Sequence, residues 1–186
     1  MSTIFIIHGS EDDATCHWYP WLKSELELLG HTVIAPSFPC EDEYVLSRWF
    51  DTLAPYMKYI DESAIFIGHS RGCAFVWRVL EKIEKPIFAA FFVAGFTRYL
   101  WYPKPSGKLD SFYETPFDWE KIRSIVKHIK TYQSTNDHYV PMEMGQEVAD
   151  ALGVNMTIVE NVGHFSKRTG FMKFPLLLED VKEVLK

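Results

Sequence analysis

The sequence predicts an α/β fold, a three-layer α/β/α sandwich built on about six parallel strands. Three observations carry that prediction. Short apolar runs alternate with helix-period patterns along the chain, as in a parallel sheet covered on both faces. With 186 residues the chain can bury a sizeable core, and no repeat, low-complexity stretch or linker divides it. The run Ile65-Phe66-Ile67-Gly68-His69-Ser70-Arg71-Gly72-Cys73 passes from an apolar strand through G-x-S-x-G straight into a helical pattern.

The elements follow in order. Thr3–Ile7 is an apolar strand; no basic n-region precedes it and the polar His8-Gly9 follows, so it reads as a strand and not a signal peptide. Trp18–Leu29 has helical periodicity and is closed by Gly30. Thr32–Ala35 is the second strand, followed by a loop with Pro36 and Pro39. A helix is expected from Asp42 or Glu43 to near Ile60, with a kink or break at Pro55. Ala64–Ile67 is the strand before the G-x-S-x-G turn and Arg71–Ile83 the helix after it. Ile87–Val93 is an apolar strand, Trp119–Val126 a helix, Ile129–Gln133 a strand, Met142–Leu152 a helix and Met156–Val159 the last strand. Phe171–Leu185 is the final helix, irregular at Pro175. The long irregular piece from Gly95 to Asp118 carries Phe96, Tyr99, Trp101, Tyr102, Phe112, Tyr113 and Phe117. It reads either as a packed flap or as a loop covering the edge of the core.

Composition narrows the function. Hydrophobic residues make up 47% and charged residues 24%, an ordinary globular balance. A net charge of −6 argues against nucleic acid as the main partner. The longest apolar run, Ile87 to Phe96, is about half of a membrane span. Cys16, Cys40 and Cys73 have no metal-type spacing and read as reduced thiols of a cytoplasmic protein. Cys73 is expected to pack inside the helix. No G-x-G-x-x-G or G-x-x-x-x-G-K-[ST] follows the first strand, which counts against a nucleotide-binding or redox domain.

The G-x-S-x-G turn has the context of a nucleophile elbow, with Ser70 exposed on a tight turn and a helix N-terminus aimed at the site. A serine needs a base, and the base needs a partner that fixes its tautomer. In folds of this kind the chain order is serine, acid, histidine. Asp137 follows the strand ending near Gln133, and His164 follows Met156–Val159, so both come to the strand ends where Ser70 lies. His138 is too close in sequence to Asp137 to be its base, His69 lies within the elbow, and Asp110 and Asp118 precede the relevant strand. The amides of Arg71 and Ser10 are the candidate oxyanion donors, with Gly9 permitting close backbone approach. His8 is read as a structural hydrogen-bonding residue, a catalytic role being the other reading. For Arg71 the two readings are an ion-paired helix residue and a carboxylate binder.

With these pieces assembled, the chain resembles the α/β-hydrolase superfamily, and more closely the small YdeN-type serine hydrolases, relatives of retinoblastoma-binding protein 9. The resemblance runs nearly end to end. It rests on Ile4 to Ser10, on His17-Trp18-Tyr19-Pro20-Trp21-Leu22-Lys23, on the elbow, and on Val93-Ala94-Gly95-Phe96, Phe117 to Ile122, Ser134 to Pro141 and Gly163-His164-Phe165. The segment at 17–23 is more diagnostic than the elbow. The resemblance implies one hydrolase domain over residues 1–186, a minimal fold without a large cap, and the strand order 2-1-3-4-5-6. It places the nucleophile on Ser70, the acid on Asp137 and the base on His164. Arg71 departs from the leucine or serine often found after the nucleophile.

The expected function is a serine hydrolase, carboxylesterase-like, cleaving small ester or acyl substrates through an acyl-enzyme, with thioester and peptide bonds as further possibilities. No metal, organic cofactor, nucleic acid or membrane span is expected. The alternative is a non-catalytic or weakly catalytic protein-binding module that keeps the hydrolase fold and uses the aromatic segment 96–117.

Overall fold

The computed structural model describes residues 1–40, 44–98 and 110–186. Among these, six strands form one parallel sheet: β1 (Thr3–Ile7), β2 (Thr32–Ile34), β3 (Ile65–His69), β4 (Ile87–Val93), β5 (Val126–Ser134) and β6 (Met156–Val159), in the order β2-β1-β3-β4-β5-β6. The helices are α1 (Tyr19–Leu28), α2 (Leu46–Leu53), α3 (Arg71–Lys82), α4 (Trp119–Ile125), α5 (Met142–Leu152) and α6 (Pro175–Val184).

Strand periodicity decides which residues face which layer. Ile4, Ile6, Ile65, Ile67, Ala89 and Phe91 pack with α1 and α6 residues such as Leu22, Leu26, Leu177 and Val181. Phe5, Ile7, Phe66, Ala90 and Phe92 face the other way, against α2, α3, α4 and α5. Both faces are therefore apolar, which is why the strands read as continuous hydrophobic runs. Phe5 and Phe66, neighbours on β1 and β3, stack at 4.6 Å. Helix α3 is buried from Arg71 to Leu80, because it lies between the sheet and the described part of the aromatic segment.

The element boundaries differ from expectation where proline or pairing intervenes. α6 begins at Pro175 and not at Phe171, since proline suits the first turn of a helix. α2 ends at Leu53, and Pro55 sits in a 3-10 turn from Ala54 to Tyr59. The expected start of that helix at Asp42 or Glu43 lies outside the described residues. β5 begins at Val126, where a helix was expected to end, because Val126 pairs with Ile87 of β4 directly after α4. Of the aromatic segment, Phe96, Phe112 and Phe117 are buried, with Trp77 of α3 packed on Phe117 at 5.1 Å. These residues cover the edge of the core; Tyr99, Trp101 and Tyr102 lie outside the described residues. No helix among the described residues is long and apolar enough to cross a membrane.

Gly72 sets how closely α3 approaches the end of β1. A Cβ there would overlap the Ile7 carbonyl and come within 2.6 Å of the His8 carbonyl oxygen. Backbone cannot yield as a side chain can, so Gly72→Ala is expected to cost about 3 kcal/mol, read as a lowered urea midpoint.

Candidate active site

Ser70 joins β3 to α3 with φ 54° and ψ −124°, a conformation that costs a non-glycine residue roughly 1–3 kcal/mol. The turn is held by the Ser70 amide, which donates to the Val93 carbonyl at 2.8 Å. The loop after β1 lies against it: a Cβ on Gly9 would stand 2.9 Å from the Ser70 Cβ. Arg71 is the first residue of α3, so its amide has no intrahelical acceptor. The Ser10 amide makes no hydrogen bond to a described residue. Two unspent donors thus flank the elbow.

Asp137 and His164 meet at the carboxyl ends of β5 and β6. His164 Nδ1 donates to Asp137 Oδ2 at 2.7 Å, and the Asp137 side chain is fully buried. Its other oxygen accepts the amides of Tyr139 at 2.8 Å and Val140 at 3.0 Å. Because a carboxylate only accepts, the proton of His164 is fixed on Nδ1 and the Nε2 lone pair is left free. The His164 ring lies 4.9 Å from that of His69, the residue before Ser70.

Sequence reading missed the residues that hold this pair. Gln133 donates through Nε2 to Val140 O at 2.5 Å and to Asp137 Oδ2 at 3.5 Å. Ser134, Thr135 and Asn136 then accept three consecutive amides of the His164 loop. The Val162 amide reaches Ser134 Oγ at 3.2 Å, the Asn161 amide Thr135 Oγ1 at 3.0 Å, and the Gly163 amide Asn136 Oδ1 at 2.7 Å. Four short polar residues after a strand were the available signal, but their partners lie 26 to 28 residues further on.

The other candidates are accounted for by their partners. Asp118 caps α4 by accepting the Lys121 amide at 2.9 Å, and His138 is exposed. His8 is buried; its Nδ1 donates to Gly9 O at 2.8 Å and its Nε2 accepts the Phe38 amide at 2.7 Å, a structural role. Arg71 donates to the buried Asp110 and, through Nε, to Ser10 Oγ at 2.7 Å, while its guanidinium lies 3.7 Å from the Tyr44 ring. That is the ion-paired reading, and it leaves the guanidinium little freedom to take a substrate carboxylate. Burial pushes the Cys73 thiol far above its ordinary value, and Sγ contacts Gly68 O at 3.3 Å, so it is a packing thiol. Asp12, His17 and His69 bring ligand-type atoms within 4.8 Å of one another, but all four ring nitrogens already have protein partners.

Two buried histidines predict a pH dependence of stability. Desolvation by burial lowers His8 below the ordinary histidine value and His69 well below it, with nearby His164 and His17 adding to the effect on His69. Their folded values are depressed, so stability is full above about pH 6.5, where unfolded histidine is neutral. It is lost as pH falls and the unfolded chain takes up protons that the folded chain refuses, by up to about 1.4 kcal/mol per pH unit for each group. The urea midpoint is expected to drop between about pH 7.5 and about pH 5.5. A constant midpoint would contradict the neutral assignment.

The chain is similar to known proteins over nearly its whole length. YdeN of Bacillus subtilis strain 168 is 30% identical over 178 residues, 95% of this chain and 92% of YdeN. The serine hydrolase RBBP9 of Rattus norvegicus is 30% identical over 182 residues, 96% of this chain and 91% of the relative. The crystal structure of the B. subtilis ydeN gene product superposes with a TM-score of 0.90 at 29% identity, covering 100% of this chain and 99% of that one. The family model described as serine hydrolase matches residues 4–183, and the chain belongs to that family.

Proposed function

We propose that the protein hydrolyses small ester or related acyl substrates through a Ser70–His164–Asp137 triad, as one catalytic unit spanning residues 1–186. The observation that carries this reading is the 2.7 Å bond from His164 Nδ1 to buried Asp137, formed at the sheet edge where Ser70 occupies its strained elbow. His164 Nε2 takes the Ser70 hydroxyl proton as Oγ attacks the acyl carbonyl. The amides of Ser10 and Arg71 hold the resulting oxyanion. Collapse of the tetrahedral intermediate expels the alcohol, which takes its proton from His164. Water then gives a proton to His164 and attacks the acyl-enzyme; the second tetrahedral intermediate breaks its bond to Ser70 Oγ, which takes that proton from His164 as the carboxylic acid leaves. Asp137 orients His164 and stabilises its imidazolium.

Serine, histidine, aspartate and two amides provide every group this acyl transfer requires, so it proceeds without a metal or organic cofactor. The partner is a small acyl substrate. Esters fit better than amides because an alcohol leaves more readily than an amine. The three unpaired thiols suit a reducing compartment, the cytoplasm.

The test is intact mass after treatment with a fluorophosphonate, on the wild type and on Ser70→Ala. One adduct on the wild type and none on the variant is expected. A folded wild type that stays unlabelled would overturn the reading and favour the binding module.

A further inference from the structure

We infer that His17, Trp18 and Tyr19, at the entrance to α1, are positioning residues for the His164 loop. The inference rests on the reading of His164 as the base.

The loop that carries His164 is built from unfavourable backbone. Asn161, Gly163 and Phe165 have φ of 57°, 61° and 50°. Such conformations persist only where surrounding contacts over-determine them. On one side the contacts are Ser134, Thr135 and Asn136. On the other side they come from three consecutive residues of a distant segment.

Trp18 is fully buried and donates from Nε1 to the Phe165 carbonyl at 3.1 Å. His17 Nδ1 accepts the Lys167 amide at 3.0 Å. The proton of His17 therefore sits on Nε2, which faces Asp12 Oδ2 at 2.9 Å. Tyr19 acts one step removed. His69 Nε2 lies 3.0 Å from the His164 carbonyl, which can only accept, so Nε2 carries the His69 proton. The Tyr19 hydroxyl, 2.5 Å from His69 Nδ1, is then the donor to that nitrogen. Backbone groups at 164, 165 and 167 are thus held from residues 19, 18 and 17.

The hydroxyl of Tyr19 donates to the one His69 nitrogen that carries no proton, and so fixes the ring whose Nε2–H reaches the His164 carbonyl. Without it, the buried Nδ1 lone pair has no donor, and the ring is free to turn and weaken its bond to the His164 carbonyl. The loop and the base it carries then shift relative to Ser70. A displacement of about 1 Å at such a site is worth up to about a hundredfold in rate. Through Asp12, His17 also joins the base loop to the segment after β1 that carries the Ser10 amide.

Tyr19→Phe keeps the buried ring and removes only the hydroxyl, which also faces the Gly9 backbone, so the His164 signal is read beside the labelling rate. Tyr132→Phe is the control: its hydroxyl bonds Asp180 Oδ2 at 2.6 Å, away from the site. Two readouts are taken on wild type and both variants. One is the rate of fluorophosphonate labelling of Ser70. The other is the set of imidazole nitrogen and ring-proton shifts in protein with ¹⁵N-labelled histidine. In Tyr19→Phe, the His69 Nδ1 signal is expected to move to the position of a nitrogen without a hydrogen bond, the proton staying on Nε2, and the His164 Nδ1–H signal to shift. Labelling is expected to slow about tenfold or more, with Tyr132→Phe labelling as wild type does. An unshifted His69 Nδ1 signal, or wild-type labelling by Tyr19→Phe, would overturn the inference. Failure of the wild type to label would instead refute the hydrolase reading. The imidazole spectra then decide the positioning role alone: a shifted His164 signal in Tyr19→Phe supports it and an unshifted one overturns it.

Discussion

Ser70→Ala is expected to keep its fold and lose ester hydrolysis by about a million-fold, the scale seen when a triad nucleophile is removed. The two halves of that expectation have separate causes. Ser70 Oγ makes no hydrogen bond to a described residue, and the elbow is held by the Ser70 amide, which alanine retains. Stability should therefore stay within about 0.5 kcal/mol of wild type. The rate falls because the remaining histidine and oxyanion donors have no covalent partner to activate. Initial rates on a short-chain nitrophenyl ester, beside thermal melts, check both halves. Retention of more than about 1% of the rate would refute Ser70 as nucleophile.

Asp110→Ala is expected to act in the opposite way, on stability first. Arg71 and Asp110 have side chains 9% and 1% exposed, so their charges are compensated by each other and not by water. Removing the carboxylate leaves a buried guanidinium facing Ser10 and the rings of Tyr44, Phe112 and Tyr113, none of which carries charge. Breaking a buried pair from one side costs about 3–5 kcal/mol. For a chain of this size that lowers the melting temperature by on the order of 10 °C. The Asp110 carboxylate also accepts the Phe112 amide at 3.2 Å, so the aromatic segment loosens with it. A change of less than about 1 kcal/mol would mean that Arg71 finds water or another partner. A double variant that also replaces Arg71 by methionine should recover part of the loss, because the unpaired charge is gone.

The alternating elements and the elbow were legible because their signals are local. A buried parallel strand is a continuous apolar run, and Gly68 and Gly72 flank a serine on a tight turn. Asp137 and His164 were legible through chain order, and the structure brings them within hydrogen-bonding distance. The boundaries of β5 and α6 were not, since strand pairing with β4 and proline at a helix start decided them.

Asp110 shows the same limit within the site. Its residue type permits an acid, a cap or an ion pair, and only its place beside Arg71, 39 residues earlier, selects the last. Likewise His17, Trp18 and Tyr19 stood out as a motif, but nothing near them in sequence indicates what they touch. The sequence by itself determined the class of fold, the order of its elements and the residues with chemical capacity. These depend on periodicity, backbone sterics and side-chain type, all expressed within a few residues. Only the tertiary structure decided which polar atoms face one another, the tautomers of His164 and His69, and the partner of Arg71. Those depend on hydrogen bonds between segments as far as 150 residues apart, and such distances are set by packing on the two faces of the sheet.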